Sequence, residues 1–154
     1  MHTIDRASLS SAELAAWRGM LRVHAGLVRE LDAELEQRHR LPVTSYDVLV
    51  NLSEAPDRRM RMCDLADAVL LSRSGLSRLV DRLEREGVVE RQDCPSDARG
   101  AFAALTDDGH ELLEDARPTH LAGVRRRFLE HFSPEELATM AGYWERVLPG
   151  AAQA

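Results

Sequence analysis

Lysine is missing altogether, and all 20 basic residues of this 154-residue chain are Arg. A GC-rich coding bias produces such usage on its own, so the abundance of Arg is by itself no sign of nucleic-acid recognition. Aromatic residues amount to only 5%, and the two cysteines, Cys63 and Cys94, are too few for a disulfide framework. No apolar run approaches the roughly 20 residues that a membrane helix requires. The N-terminal MHTIDRASLSS lacks the basic-then-apolar pattern of a secretion signal, so the cytoplasm is the expected location. There is no Gly-rich phosphate loop, no GxSxG elbow and no carboxylate pair placed for acid–base work, and Gly75 and Gly100 stand alone. The six His form no metal signature, since no two lie at i, i+4 and there is no CxxC. Catalysis, a bound metal and a cofactor are therefore not expected.

What is present reads as a single domain over residues 1–154: 44% hydrophobic and 30% charged residues are ordinary for a globular chain of this length. A net charge of −6 opposes a polyanionic partner, but the acid is unevenly spread. Residues 58–106 hold nine Arg against eight acids, whereas the remainder holds 11 Arg against 18 acids.

The near-neutral segment carries the most specific pattern. In SRSGLSRLVDRLERE, Leu76, Leu79, Val80 and Leu83 recur at i, i+3, i+4 and i+7, which places them on one buried stripe of a helix. Ser74, Ser77, Arg78, Asp81, Arg82 and Arg85 are left on the other faces. Ser72 is placed to cap the N-terminus and Gly87 to close the C-terminus. A shorter helix in CDLADAVLL precedes it, with only Leu70 and Leu71 before Ser72, so the two must cross steeply. After Gly87 the pattern becomes extended, with Val88 and Val89, a turn-rich DCPSDARG, and Phe102 and Leu105 in a return strand. The expected fold is mainly α with a small β-hairpin wing (α+β): a winged helix-turn-helix over residues 44–106.

Flanking helices complete the pattern. Ser10 and Glu13 have capping-box spacing for a helix reaching about Arg38, with Leu14, Trp17, Leu21, His24, Val28, Leu31 and Leu35 along one seam. A seam this long wants a partner helix. Pro42 ends that region and Thr44 is expected to cap the next helix, with APDRR as the following connection. Thr106 opens a later helix, where Pro118 predicts a kink or break. Ser133, Pro134 and Glu136 start the last one, with Leu137, Met140, Ala141, Trp144 and Leu148 on its apolar face. Arg125, Arg126 and Arg127 read as a surface or intersubunit run pairing with residues such as Glu130.

The run LADAVLLSRSGLSRLVDRLEREGVVER, followed by CPSDARGAFAALTDDG, resembles the MarR family of bacterial transcriptional regulators. Its wing pattern, Asp-x-Arg and then Leu-Thr-x-x-Gly, is carried by Asp97, Arg99, Leu105, Thr106 and Gly109. Gly100 departs from the polar or charged residue common after that Arg. The resemblance implies a homodimer whose helices over residues 10–42 and 107–150 form a dimerisation layer, binding double-stranded DNA at a pseudo-palindromic operator, with repression as the family habit. The implied DNA contacts are Arg73, Ser74, Ser77, Arg78, Arg82 and Arg99, with Asp97 orienting Arg99 or Arg82. Arg78 can fork onto a guanine edge or a phosphate, and Arg99 can enter a narrow minor groove. Arg82 and Arg85 have an equally plain reading as residues solvated or paired with Asp81 and Glu86. A small aromatic or anionic effector between reader and dimer layer is also implied, with Trp17, His24 and Tyr46 as candidate contacts. Two alternatives stay open: a winged-helix module that binds a protein, and redox sensing through Cys63 or Cys94.

Overall fold

A computed structural model gives the structure of residues 8–93 and 100–153. The first helix, α1 (Ser11–His39), starts at a capping box: the Ser10 hydroxyl accepts the Glu13 amide at 3.3 Å, and the Glu13 carboxylate accepts the Ser10 amide at 2.8 Å. Helix α2 (Val43–Glu54) begins one residue before Thr44, which is therefore not its cap. Pro42 supplies the entry backbone, and the first amide, Val43 N–H, donates to Asp32 Oδ1 of α1 at 2.8 Å. A carboxylate from a neighbouring helix thus does the work expected of a local hydroxyl.

The APDRR connection holds a 3-10 turn, Pro56–Arg58, and its last residue opens a strand that was not expected, β1 (Arg59–Arg61). It leads into α3 (Met62–Ala68), a turn in which Leu70 is left-handed at φ 57°, and α4 (Arg73–Arg85). The expected caps of α4 are both found: Ser72 Oγ accepts from the Gly75 amide at 3.1 Å, and Gly87 takes φ 77° where the chain leaves the helix. The hairpin follows as β2 (Val89–Asp93) and β3 (Ala101–Leu105), antiparallel from Val89↔Leu105 to Asp93↔Ala101. β1 pairs on the other side of β3, giving the order β1-β3-β2. The hairpin tip, with Cys94, Asp97 and Arg99, lies outside the described residues.

Thr106 ties the wing to what comes next. Its hydroxyl donates to the Gly87 carbonyl at 2.7 Å and accepts the Gly109 amide at 3.0 Å, capping α5 (Asp107–Arg127). Gly109 is obligatory for space, because a Cβ there would collide with the Val88 carbonyl oxygen. The break expected as one outcome at Pro118 does not occur: α5 continues through the proline as one helix. The bond that proline cannot make is offset by packing on both sides of it: His39 of α1 meets Asp115 at 3.1 Å and Thr119 at 2.8 Å, and Gly123 lies against Leu31 and Glu34. The arginine run also pairs differently from the reading above, since Arg126 and Arg127 both reach Glu34 at 2.6 Å and Arg127 reaches Glu30 at 3.4 Å. Those pairs lock α5 onto α1, and the Arg127 guanidinium holds the Glu34 carboxyl below its ordinary range. A 3-10 turn at Leu129–His131 leads to α6 (Pro134–Val147), again opened by a capping box.

One core underlies α2 to β3 and ties in α1 and α5: Leu35 of α1, Leu49 and Leu52 of α2, Leu65 of α3, Leu76, Val80 and Leu83 of α4, Val89 of β2 and Leu113 of α5 are fully buried. α6 buries none of its residues within the chain. Trp17, Leu21 and Val28 on α1 and Tyr143, Trp144, Val147 and Leu148 at the end of the chain leave a broad apolar surface uncovered.

Candidate nucleic-acid interface

The outer face of α4 follows from the stripe that buries the inner one. With Leu76, Leu79, Val80 and Leu83 turned to the core, Arg73, Ser74, Arg78, Asp81, Arg82 and Arg85 are exposed and Ser77 is half-buried. The first turn of α4 carries no acid, so the partial positive charge of the helix start is uncompensated on the side where Arg73 and Ser74 stand. Arg73, Arg78 and Arg85 make no hydrogen bond or ion pair among the described residues. They are long cations held on a packed helix, with no ion-pair partner among the described residues.

Arg82 is placed differently. Its Nη2 donates to Ser45 Oγ on α2 at 3.0 Å, and its Nε lies 4.0 Å from Glu86. Because Ser45 is fully buried, this arginine spends much of its hydrogen-bonding capacity fastening α4 to α2. Arg85 remains in solvent.

Sequence reasoning overlooked Arg91. From β2 its Nη2 reaches Asp81 Oδ1 at 2.8 Å and both the carbonyl and hydroxyl of Ser77 at 3.0 Å, while its backbone amide donates to Glu84 Oε2 at 2.8 Å. The available signal was the period of two: Val89 is buried, so Arg91 falls on the same side of the strand, facing α4. Arg91, Arg73 and Ser77, with Met62, Cys63 and Ala101, line a groove of about 290 Å³ between α3, α4 and the wing. On the opposite face of the sheet the guanidiniums of Arg59 and Arg61 stand 5.1 and 5.8 Å from the Phe102 ring centre. Cys63 is exposed at the start of α3, 3.7 Å from Asp64 Oδ1.

The three effector candidates are not brought together within one chain. Tyr46 is in the core, its ring centre 4.4 Å from that of His120 on α5. Burial raises the Tyr46 phenol pKa and lowers that of His120, whose Nδ1 is buried without a partner among the described residues. Trp17 and His24 are exposed on the N-terminal half of α1. Trp17 lies roughly 27 Å along the helix axis from Leu35, where α1 enters the core.

Among the described residues no helix is long and apolar enough to cross a membrane. Residues 41–100 match a family model described as "MarR family". The HTH-type transcriptional regulator MhqR of Bacillus subtilis (strain 168) is 30% identical over 110 residues, covering 71% of this chain and 74% of that protein. Two solved structures from Streptomyces coelicolor are nearer in sequence. AbsC, a MarR family transcriptional regulator, is 40% identical with a TM-score of 0.86, covering 91% of this chain and 94% of its own. Sco3205, a MarR family transcriptional regulator solved in complex with DNA, is 38% identical with a TM-score of 0.87, covering 96% and 95%.

Proposed function

Since this chain belongs to the MarR family of transcriptional regulators, we propose that it is a homodimeric, sequence-specific DNA-binding repressor that acts in the cytoplasm. Helix α4 enters the major groove with its capped N-terminal end foremost, and the hairpin reaches the flanking minor groove. Two copies, held by the apolar surfaces of α1 and α6, address half-sites about 34 Å apart on one face of a pseudo-palindromic operator. The single observation that carries this reading is the exposed outer face of α4, where Arg73 and Arg78 have no ion-pair partner among the described residues, on a helix whose other side is locked into the core. Arg73, Ser74, Ser77 and Arg78 are its main contacts. Arg82 contributes chiefly by seating α4, and Arg99, oriented by Asp97, serves the wing.

Release follows from geometry. A small aromatic or anionic effector bound between the reader and the dimer layer changes the separation of the two α4 helices, so that only one groove is engaged well at a time. Of the candidate contacts, Tyr46 is the one seated where α2 meets α5, against His120. Fluorescence anisotropy on the chain's own upstream DNA at two salt concentrations tests the DNA reading. Binding through Arg should weaken steeply with salt, and a protein-binding winged helix would show no such titration. A phenolic ligand panel tests release: an effector should shift the melting temperature and lower DNA affinity together.

A further inference from the structure

Arg91 makes contacts that the proposed reading leaves without a purpose. One nitrogen, Nη2, serves three acceptors: the Asp81 carboxylate at 2.8 Å, the Ser77 carbonyl at 3.0 Å and the Ser77 hydroxyl oxygen at 3.0 Å. The backbone amide of the same residue is held by Glu84 at 2.8 Å. Residues 77, 81 and 84 follow one another along one side of α4, so a single strand residue grips the helix over two turns. This costs Ser77 its freedom. A serine hydroxyl ordinarily rotates to donate or accept as its partner demands, but here a guanidinium proton sits on its oxygen. The cation makes that oxygen a poorer acceptor for a second donor. The hydroxyl proton itself is given to no group among the described residues.

We propose that Arg91 is a specificity-determining positioning residue: by occupying the oxygen of Ser77 it fixes that hydroxyl as a donor, so that α4 favours an acceptor edge at one base pair of each half-site. Acceptor edges in the major groove are guanine N7 and O6, adenine N7 and thymine O4, and the disfavoured groups are the cytosine N4 and adenine N6 amines; cytosine, which offers no acceptor there, gives the cleanest contrast. The inference rests on the DNA-reading function proposed above, and it adds that one preference is set by a residue that does not itself touch a base.

The test uses the full chain and duplexes selected from a randomised pool, followed by single base-pair changes at each position. Wild type should show one position per half-site at which placing cytosine opposite Ser77 costs about fivefold in affinity, the worth of one hydrogen bond. Ser77→Ala and Arg91→Met should both lose that preference and keep the others, with an unchanged slope of affinity against salt. Arg91→Lys guards against a folding defect: its ammonium can keep the Asp81 pair but has no planar fork to hold Ser77 as well, so it too should lose the preference at an unaltered melting temperature. If the Arg91 variants weaken every duplex alike and lower the salt slope by about 0.9 per lost contact, Arg91 is a phosphate ligand and the proposal is overturned. It is equally overturned if Ser77→Ala alone changes the preference, or if neither change does. Wild type without any sequence preference would sink the DNA reading itself, an outcome visible before any variant is made.

Discussion

Replacing Arg78 with Ala separates recognition from folding. Arg78 is exposed on the outer face of α4 and bonds to nothing among the described residues, so its loss should change stability by less than about 0.5 kcal/mol. On DNA the expectation is large. A bidentate contact to a base edge is worth about 1–3 kcal/mol, and the proposed symmetric dimer would lose two of them, giving about 2–6 kcal/mol, or roughly 30-fold to 20,000-fold in affinity. Arg82→Ala provides the contrast, since it strips the bond from the fully buried Ser45 hydroxyl and should cost about 1–3 kcal/mol of stability. Anisotropy titrations against a selected duplex, paired with urea unfolding, read both quantities. A salt slope reduced by about one per copy would assign Arg78 to phosphate, whereas relaxed preference at one position would assign it to a base. An Arg78→Ala protein that is fully folded and binds within twofold of wild type would refute the placement of α4 in the groove.

Three further outcomes are expected. Gly109→Ala should destabilise the chain by about 1–3 kcal/mol in denaturant titrations, because the new methyl group meets the Val88 carbonyl where backbone must move to admit it. Trp144→Arg, on the uncovered face of α6, should convert a dimer to a monomer in sedimentation experiments and abolish tight operator binding, while leaving the helical circular dichroism intact. Glu34→Gln should destabilise the protein at neutral pH, where the ionised carboxylate meets Arg126 and Arg127. The folded-state pKa lies below the ordinary value of 4.5, so that stabilisation is present above this value and is lost as the pH falls through the lower folded value. The gap between variant and wild type in urea titrations should accordingly close on acidification.

The elements that were legible are those whose cause is local. Ser10, Ser72, Thr106 and Ser133 each announce a helix start through a hydroxyl and an amide three residues on, and all four bonds are present. The period of Leu76, Leu79, Val80 and Leu83 likewise assigns the outer face of α4 from sequence alone. What escaped notice depends on distant partners. β1 has three residues, two of them Arg, and is a strand only because β3 lies beside it. α5 survives Pro118 because His39 grips it from 76 and 80 positions away in sequence. The partner of Arg126 and Arg127 is likewise 92 and 93 positions distant, which no inspection of neighbouring charges could find. Arg91 was within reach of strand alternation, but its acceptors on α4 required the crossing of two elements to be known.

The unbroken passage of α5 beyond its proline makes the helix a lever arm. It begins at the Thr106 cap, fastened to the wing, and ends at the arginines fastened to α1. Its 21 residues span about 31 Å, so a pivot of about 10° at one end sweeps the other through about 5 Å, close to one turn of helix pitch. A break at Pro118 would have divided that span into two arms, whereas the continuous helix joins the wing and α1 by one element.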